Sequence, residues 1–150
     1  MPYVTNKTGY MSGRELMQQI GTEVFRCMNP DVWVEAFLRS VDSKNNYTCC
    51  DCRFPNEVII PKTWLADSVF VRLTADIFHD DHISETSLDK NVFDWSNFSM
   101  IIENDDMTID QKNAAFMYGL SQLGYDINEE SLLYLPYINE ELMKKVTINK

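Results

Sequence analysis

The chain of 150 residues is short of positive charge: 13 Lys and Arg stand against 23 Asp and Glu, a formal net charge of −10. That balance argues against a broad footprint on a nucleic-acid backbone or an anionic membrane surface. Long hydrophobic runs are missing as well. No stretch approaches the roughly 18 apolar residues that a bilayer-spanning helix needs. The opening residues, MPYVTNKTGY, contain no apolar segment of the kind a secretory signal requires, so a cytoplasmic protein is expected. The sequons at Asn6, Asn46 and Asn97 would then go unused. Glycine is scarce. There are five glycines and none is followed by lysine, so the phosphate-cradling loop G-x-x-x-x-G-K-[ST] is not in this sequence.

Cysteine is limited to four residues, three of them in the run TCCDC at 48–52. Without export they read as reduced thiols and not as a disulfide framework. A structural zinc site needs two spaced pairs of ligands, whereas Cys49 and Cys50 are adjacent and Cys27 stands alone. On a strand, Cys50 and Cys52 would share one face and Cys49 the other, so the three thiols would not converge. Cys49 and Cys52 have C-x-x-C spacing, but that redox motif opens a helix. The run is therefore expected to be filler in a buried strand.

What is present suits one globular domain: 45% of residues are hydrophobic and 12% aromatic. Ser12 and Glu15 form a capping-box pattern, and Leu16, Ile20 and Val24 follow at helical spacing, with Met17 and Met28 beside them. This predicts a helix over 13–28. Asn29 and Pro30 fit the cap and first position of a second helix, with Val32, Trp33, Ala36 and Phe37 on its apolar face. Short runs at 47–51 and 69–73, each ending at or beside a charged residue (Asp51 and Arg72), and at 99–102 predict strands. A second capping box at Thr108 and Gln111 predicts a helix that stops at Gly124. Strands alternating with helices argue for α/β architecture with a mostly parallel sheet. Residues 74–98 carry both histidines and show no clear period, so a long loop or lid is expected there. Residues 125–150 read as an amphipathic helical tail, with short helices near 129–135 and 140–146. The expected division is a main domain over 1–124 and an extension over 125–150.

Three blocks occur in order: GRELMQQIGTEVFR with NPDVWV (13–26 and 29–34), DCRFPNE (51–57), and HISE followed by IIEND (82–85 and 101–105). Together they resemble the deoxynucleoside monophosphate kinases of bacteriophages and bacteria. The resemblance covers residues 10–124. It implies a P-loop nucleoside-monophosphate-kinase fold, here without its P-loop, and transfer of the ATP γ-phosphoryl group, with magnesium, to a deoxynucleoside 5′-monophosphate. It implies phage ancestry too, and hence the host cytoplasm. By resemblance, Asp51 lies at a strand end near magnesium, Arg53 holds a phosphate and Arg72 approaches the transferring group. Arg14, Gln18 and Arg26 would face the acceptor from the first helix, joined by Thr22 and Trp33, while His82 and Glu85 belong to the lid.

Such chemistry is mostly positioning and charge neutralisation, so losing the phosphate cradle implies little or no activity for this chain alone. Two partner classes follow: a polypeptide that supplies a P-loop, or a host or defence protein bound by a degenerate relative, with a homodimer as a further form. The family continues from Asn56 and Glu57 into a helix, where this sequence has Pro61. The expectation is a remodelled connection with no intact helix.

Overall fold

The computed structural model describes residues 11–74 and 82–149. The Asn6 sequon and residues 75–81 of the expected lid lie outside the described residues. The first helix is entered through the expected cap. Ser12 Oγ accepts from the Glu15 amide, and the Glu15 carboxylate returns a bond to the Ser12 amide at 2.9 Å. It then runs as α1 (Gly13–Gln18), a π-helical stretch (Gln19–Phe25) and α2 (Arg26–Met28). Within the π stretch the Gly21 carbonyl accepts the Trp33 indole N–H at 3.0 Å. The apolar stripe of this helix is not buried: Leu16, Ile20 and Val24 are each more than two-fifths exposed, and Met17 and Met28 more so.

Helix α3 (Val32–Ser40) begins two residues later than the Asn29–Pro30 cap predicts. Asn29 Oδ1 instead accepts from the Asp31 amide at 3.0 Å, closing a side-chain turn that holds Pro30 outside the helix. The predicted strand at 47–51 does not form: the run is irregular and unpaired, and Cys49 and Cys50 are exposed. The reason is topological. Among the described residues the sheet order is β1-β2-β3, and no strand lies beside this run to complete a ladder. The cysteines there are therefore not buried filler, apart from the partly covered Cys52.

Helix α4 (Pro55–Trp64) overturns the expectation at Pro61, because it runs through that residue. Pro55 takes the first position, where its missing N–H costs nothing. Val58 and Pro61, three residues apart on one face, are both buried, so packing outweighs the one backbone bond that Pro61 forfeits. Strand β1 (Val71–Thr74) follows, then the single-turn helix α5 (Ile83–Thr86) and a 3₁₀ turn at Trp95–Asn97. Residues 82–98 are thus not a structureless loop; they bury Leu88, Phe93 and Phe98.

Strand β2 (Met100–Glu103) is central. It pairs in parallel with β1, Val71 opposite Met100, and antiparallel with β3 (Val146–Ile148), Met100 opposite Ile148. Alternation along β2 builds two cores on opposite faces. Met100 and Ile102 pack with Ala114 and Ala115 of α6 (Ile109–Gln122) and with Leu142 of α7 (Glu140–Lys144). Ile101, facing the other way, packs against Val58, Leu88, Phe93 and Phe98. Helix α6 crosses β2 closely: a Cβ on Gly119 would sit 1.7 Å from Met100 Sδ. It ends at Gly124, whose φ of +90° suits glycine.

The architecture is mixed α/β with helices on both faces of the sheet, as expected for a truncated kinase-like fold. The tail has helical segments close to the two expected, and departs from the expectation only at its end. A 3₁₀ segment (Glu129–Tyr137) and α7 lead into β3, which adds an antiparallel strand made of Val146, Thr147 and Ile148.

Candidate functional site

The motif DCRFPNE forms a turn that is organised by its last residue. Glu57 stands at the third position of α4, and its Oε2 accepts from the Arg53 amide at 2.7 Å and the Phe54 amide at 3.0 Å. Its Oε1 accepts from Arg26 Nη2, and both side chains of that pair are nearly buried. Arg26 also donates to the Pro30 carbonyl at 2.8 Å and to Asn56 Oδ1 at 3.3 Å, and its guanidinium carbon lies 3.7 Å from the centre of the Phe54 ring. Asn56 in turn donates to Asp31 Oδ1 at 2.7 Å. One carboxylate thus fixes both the turn that carries Arg53 and the helix that carries Arg26.

Beyond this turn lies a polar cleft of about 200 Å³, walled by Asp51, Arg53, Arg72, Ser84 and Glu85, with Cys50, Cys52 and Leu88 completing it. Arg53 Nε donates to Asp51 Oδ1 at 2.6 Å and its Nη1 donates to Glu85 Oε1. The Asp51 hydrogen bond raises the Arg53 pKa further above its ordinary value, against a smaller opposing effect of burial. Arg14, from α1, reaches the same Glu85 oxygen at 3.1 Å. Arg72, from β1, pairs with Asp89 at 3.5 Å and lies 5.6 Å from the Trp95 ring centre; its Nε is buried without a hydrogen-bond partner among the described residues. Cys52 is partly buried here, and that burial, reinforced by the negative charge of Glu57, pushes its thiol up to about 12.

A second, wider groove of about 580 Å³ adjoins the Arg26 turn, lined by Thr22, Arg26, Phe54, Asn56 and Asp31 among others. Of the residues singled out in the sequence, Asp51, Arg53, Arg72 and Glu85 therefore line one cleft, Arg14 reaches its rim, and Thr22 and Arg26 line the groove. Gln18, Trp33 and His82 line neither. Gln18 Nε2 is buried without a hydrogen-bond partner among the described residues. Trp33 meets Phe25 edge-on at 5.4 Å as well as bonding Gly21. His82 Nδ1 accepts from the Ser84 amide at 3.2 Å and so caps α5.

Sequence reasoning missed Glu57, Asn56 and Phe54. The signal was there: a Glu three residues after Phe54, behind a helix-opening Pro55, is a cap position whatever follows it. Among the described residues no three His, Cys, Asp or Glu side chains are grouped to hold a metal ion. Asp51 is an exposed carboxylate whose Oδ1 accepts from Arg53 Nε, so a magnesium ion there would rest on this single carboxylate with phosphate oxygens and water as its other ligands.

No curated protein and no solved structure gives a significant match to the chain. A family model for deoxynucleotide monophosphate kinase matches residues 2–114, about three-quarters of the sequence, and spans the Arg14 helix, the Asp51–Glu57 turn and the Arg72 strand. The chain belongs to the deoxynucleotide monophosphate kinase family.

Proposed function

We propose that this chain binds the 5′-phosphate of a deoxynucleoside monophosphate in the cleft between Asp51, Arg53, Arg72 and Glu85, and transfers phosphate little or not at all on its own. The observation that carries this reading is the convergence of arginines from three separate segments, α1, the 51–57 turn and β1, on one polar cleft. Guanidinium groups are the side chains best matched to phosphate oxygens. Arg26, held by Glu57 at the adjoining groove, would sit beside the rest of the nucleotide, and Thr22 offers it a hydroxyl.

Phosphoryl transfer also needs ATP held by backbone amides and a lysine, and these 150 residues contain no such loop. That cradle would have to come from outside these residues. Magnesium on Asp51 would neutralise the charge of the ATP phosphates. Within such a complex Arg53 and Arg72 orient the acceptor and donor phosphates, and Asp51 keeps Arg53 aligned.

Calorimetry with deoxynucleoside monophosphates, together with an assay for ADP formation from ATP, tests this reading. Binding that Arg53→Ala abolishes, without ADP formation by the chain alone, is the expected result. Absence of binding at millimolar nucleotide overturns the acceptor reading, and turnover by the isolated chain overturns the inactivity. A second reading, a relative that binds a protein, is favoured by the exposed Leu16, Met17, Ile20, Val24 and Met28 stripe. Sedimentation equilibrium addresses its homodimer form: a strictly monomeric chain removes it.

A further inference from the structure

The cleft already contains an anion that belongs to the chain. One oxygen of Glu85, Oε1, accepts from both Arg53 and Arg14, the position between two guanidinium groups that a phosphate oxygen would take. Among the described residues, the ion pairs at and beside the cleft join three arginines, Arg14, Arg53 and Arg72, to three carboxylates, Asp51, Glu85 and Asp89. A phosphate monoester carries nearly two negative charges at neutral pH. It gains full attraction from these arginines only if one carboxylate leaves.

Glu85 is the carboxylate placed to leave. It sits on α5, a single turn of helix, and its bonds in the cleft are to side chains that are themselves substantially exposed. Glu57, by contrast, is tied to two backbone amides and is nearly buried. Asp51 keeps its own bond to Arg53 through Nε, so Arg53 remains aligned when its Nη1 is released. We infer that Glu85 is an internal competitor for the phosphate site: it holds Arg53 and Arg14 in the cleft, and an entering phosphate monoester displaces it and loosens α5. This rests on the reading of the cleft as a phosphate site given above.

The test compares wild type, Glu85→Gln and Arg53→Ala, using inorganic phosphate and deoxythymidine monophosphate as probes in calorimetry, with circular dichroism to verify folding. Removing the competing charge should tighten both probes by about fivefold, the factor expected when half-exposed ion pairs no longer have to be broken. Hydrogen exchange supplies a readout independent of affinity. Saturating phosphate should speed exchange of the amides at 85–87 in wild type and leave it unchanged in Glu85→Gln. Equal or weaker binding by Glu85→Gln, with wild type binding normally and Arg53→Ala not at all, overturns the competitor and leaves the phosphate site standing. Absence of binding by both wild type and Glu85→Gln overturns the site itself and the competitor with it.

Discussion

Replacing Glu57 with alanine should be among the most damaging single changes outside the apolar cores. The Arg26 side chain is 10% exposed and that of Glu57 14%, so truncation leaves a nearly buried guanidinium without its counter-charge. An uncompensated buried charge costs about 3–5 kcal/mol. Arg26 retains the Pro30 carbonyl at 2.8 Å, Asn56 at 3.3 Å and the Phe54 ring, which return part of that and leave about 2 kcal/mol. The Arg53 and Phe54 amides also lose their acceptor, a loss comparable to removing a helix cap, about 1 kcal/mol. The sum is about 3 kcal/mol for Glu57→Ala; Glu57→Gln, which keeps an acceptor but not the charge, should cost about half as much. Urea unfolding measures this directly: with a slope near 2 kcal/mol/M, the midpoint should fall by about 1.5 M for the alanine variant. A double-mutant cycle with Arg26→Met should show a coupling of at least about 1 kcal/mol. A loss below about 0.5 kcal/mol with no coupling would refute the claim that one carboxylate organises the turn.

Four further outcomes are expected. Leu142→Ala, at a position 5% exposed between α6 and the sheet, should cost about 2–4 kcal/mol in the same unfolding assay, showing that α7 is part of the core and not an appendage. Gly119→Ala should destabilise by about 1 kcal/mol, because overpacking against Met100 outweighs the gain in helix propensity; in a Met100→Ala background that cost should vanish. Alkylation with iodoacetamide at pH 8, followed by peptide mass spectrometry, should modify exposed Cys49 and Cys50 well before Cys52, whose thiol stays protonated up to about 12. The unfolded chain releases that proton near 9, so stability should decline as pH rises from about 9 towards 12.

Helix starts were the most legible part of the fold, because their chemistry is local. Ser12 with Glu15 and Thr108 with Gln111 cap the helices they announce. Strands were less so, because a strand needs a neighbour that its own residues do not name. The 69–73 and 99–102 runs found each other, whereas 47–51, equally short, has no partner among the described residues. Strand β3 was read as helix because Leu142 and Val146, four residues apart, mimic a helical stripe. Its pairing with Met100–Ile102 depends on residues more than forty positions away. At the site, Asp51 and Arg53 stood out as opposite charges after an apolar run. Glu57 was discounted because Pro61 argued locally against the helix that positions it, while burial of Val58 and Pro61 decided the matter non-locally.

The pairing of β2 with β3 also bears on synthesis. Residues 100–102 leave the ribosome well before their antiparallel partners at 146–148 exist. Helix α6 and the β1–β2 ladder join segments made earlier and can assemble first, with one side of β2 still bare. In that interval the nascent chain presents an unsatisfied row of amides and carbonyls next to apolar Met100 and Ile102, the surface on which strands from neighbouring chains dock. Solubility during expression should therefore depend on how quickly residues 104–148 follow, and synonymous codons that slow translation over 104–145 are the place to look for its loss.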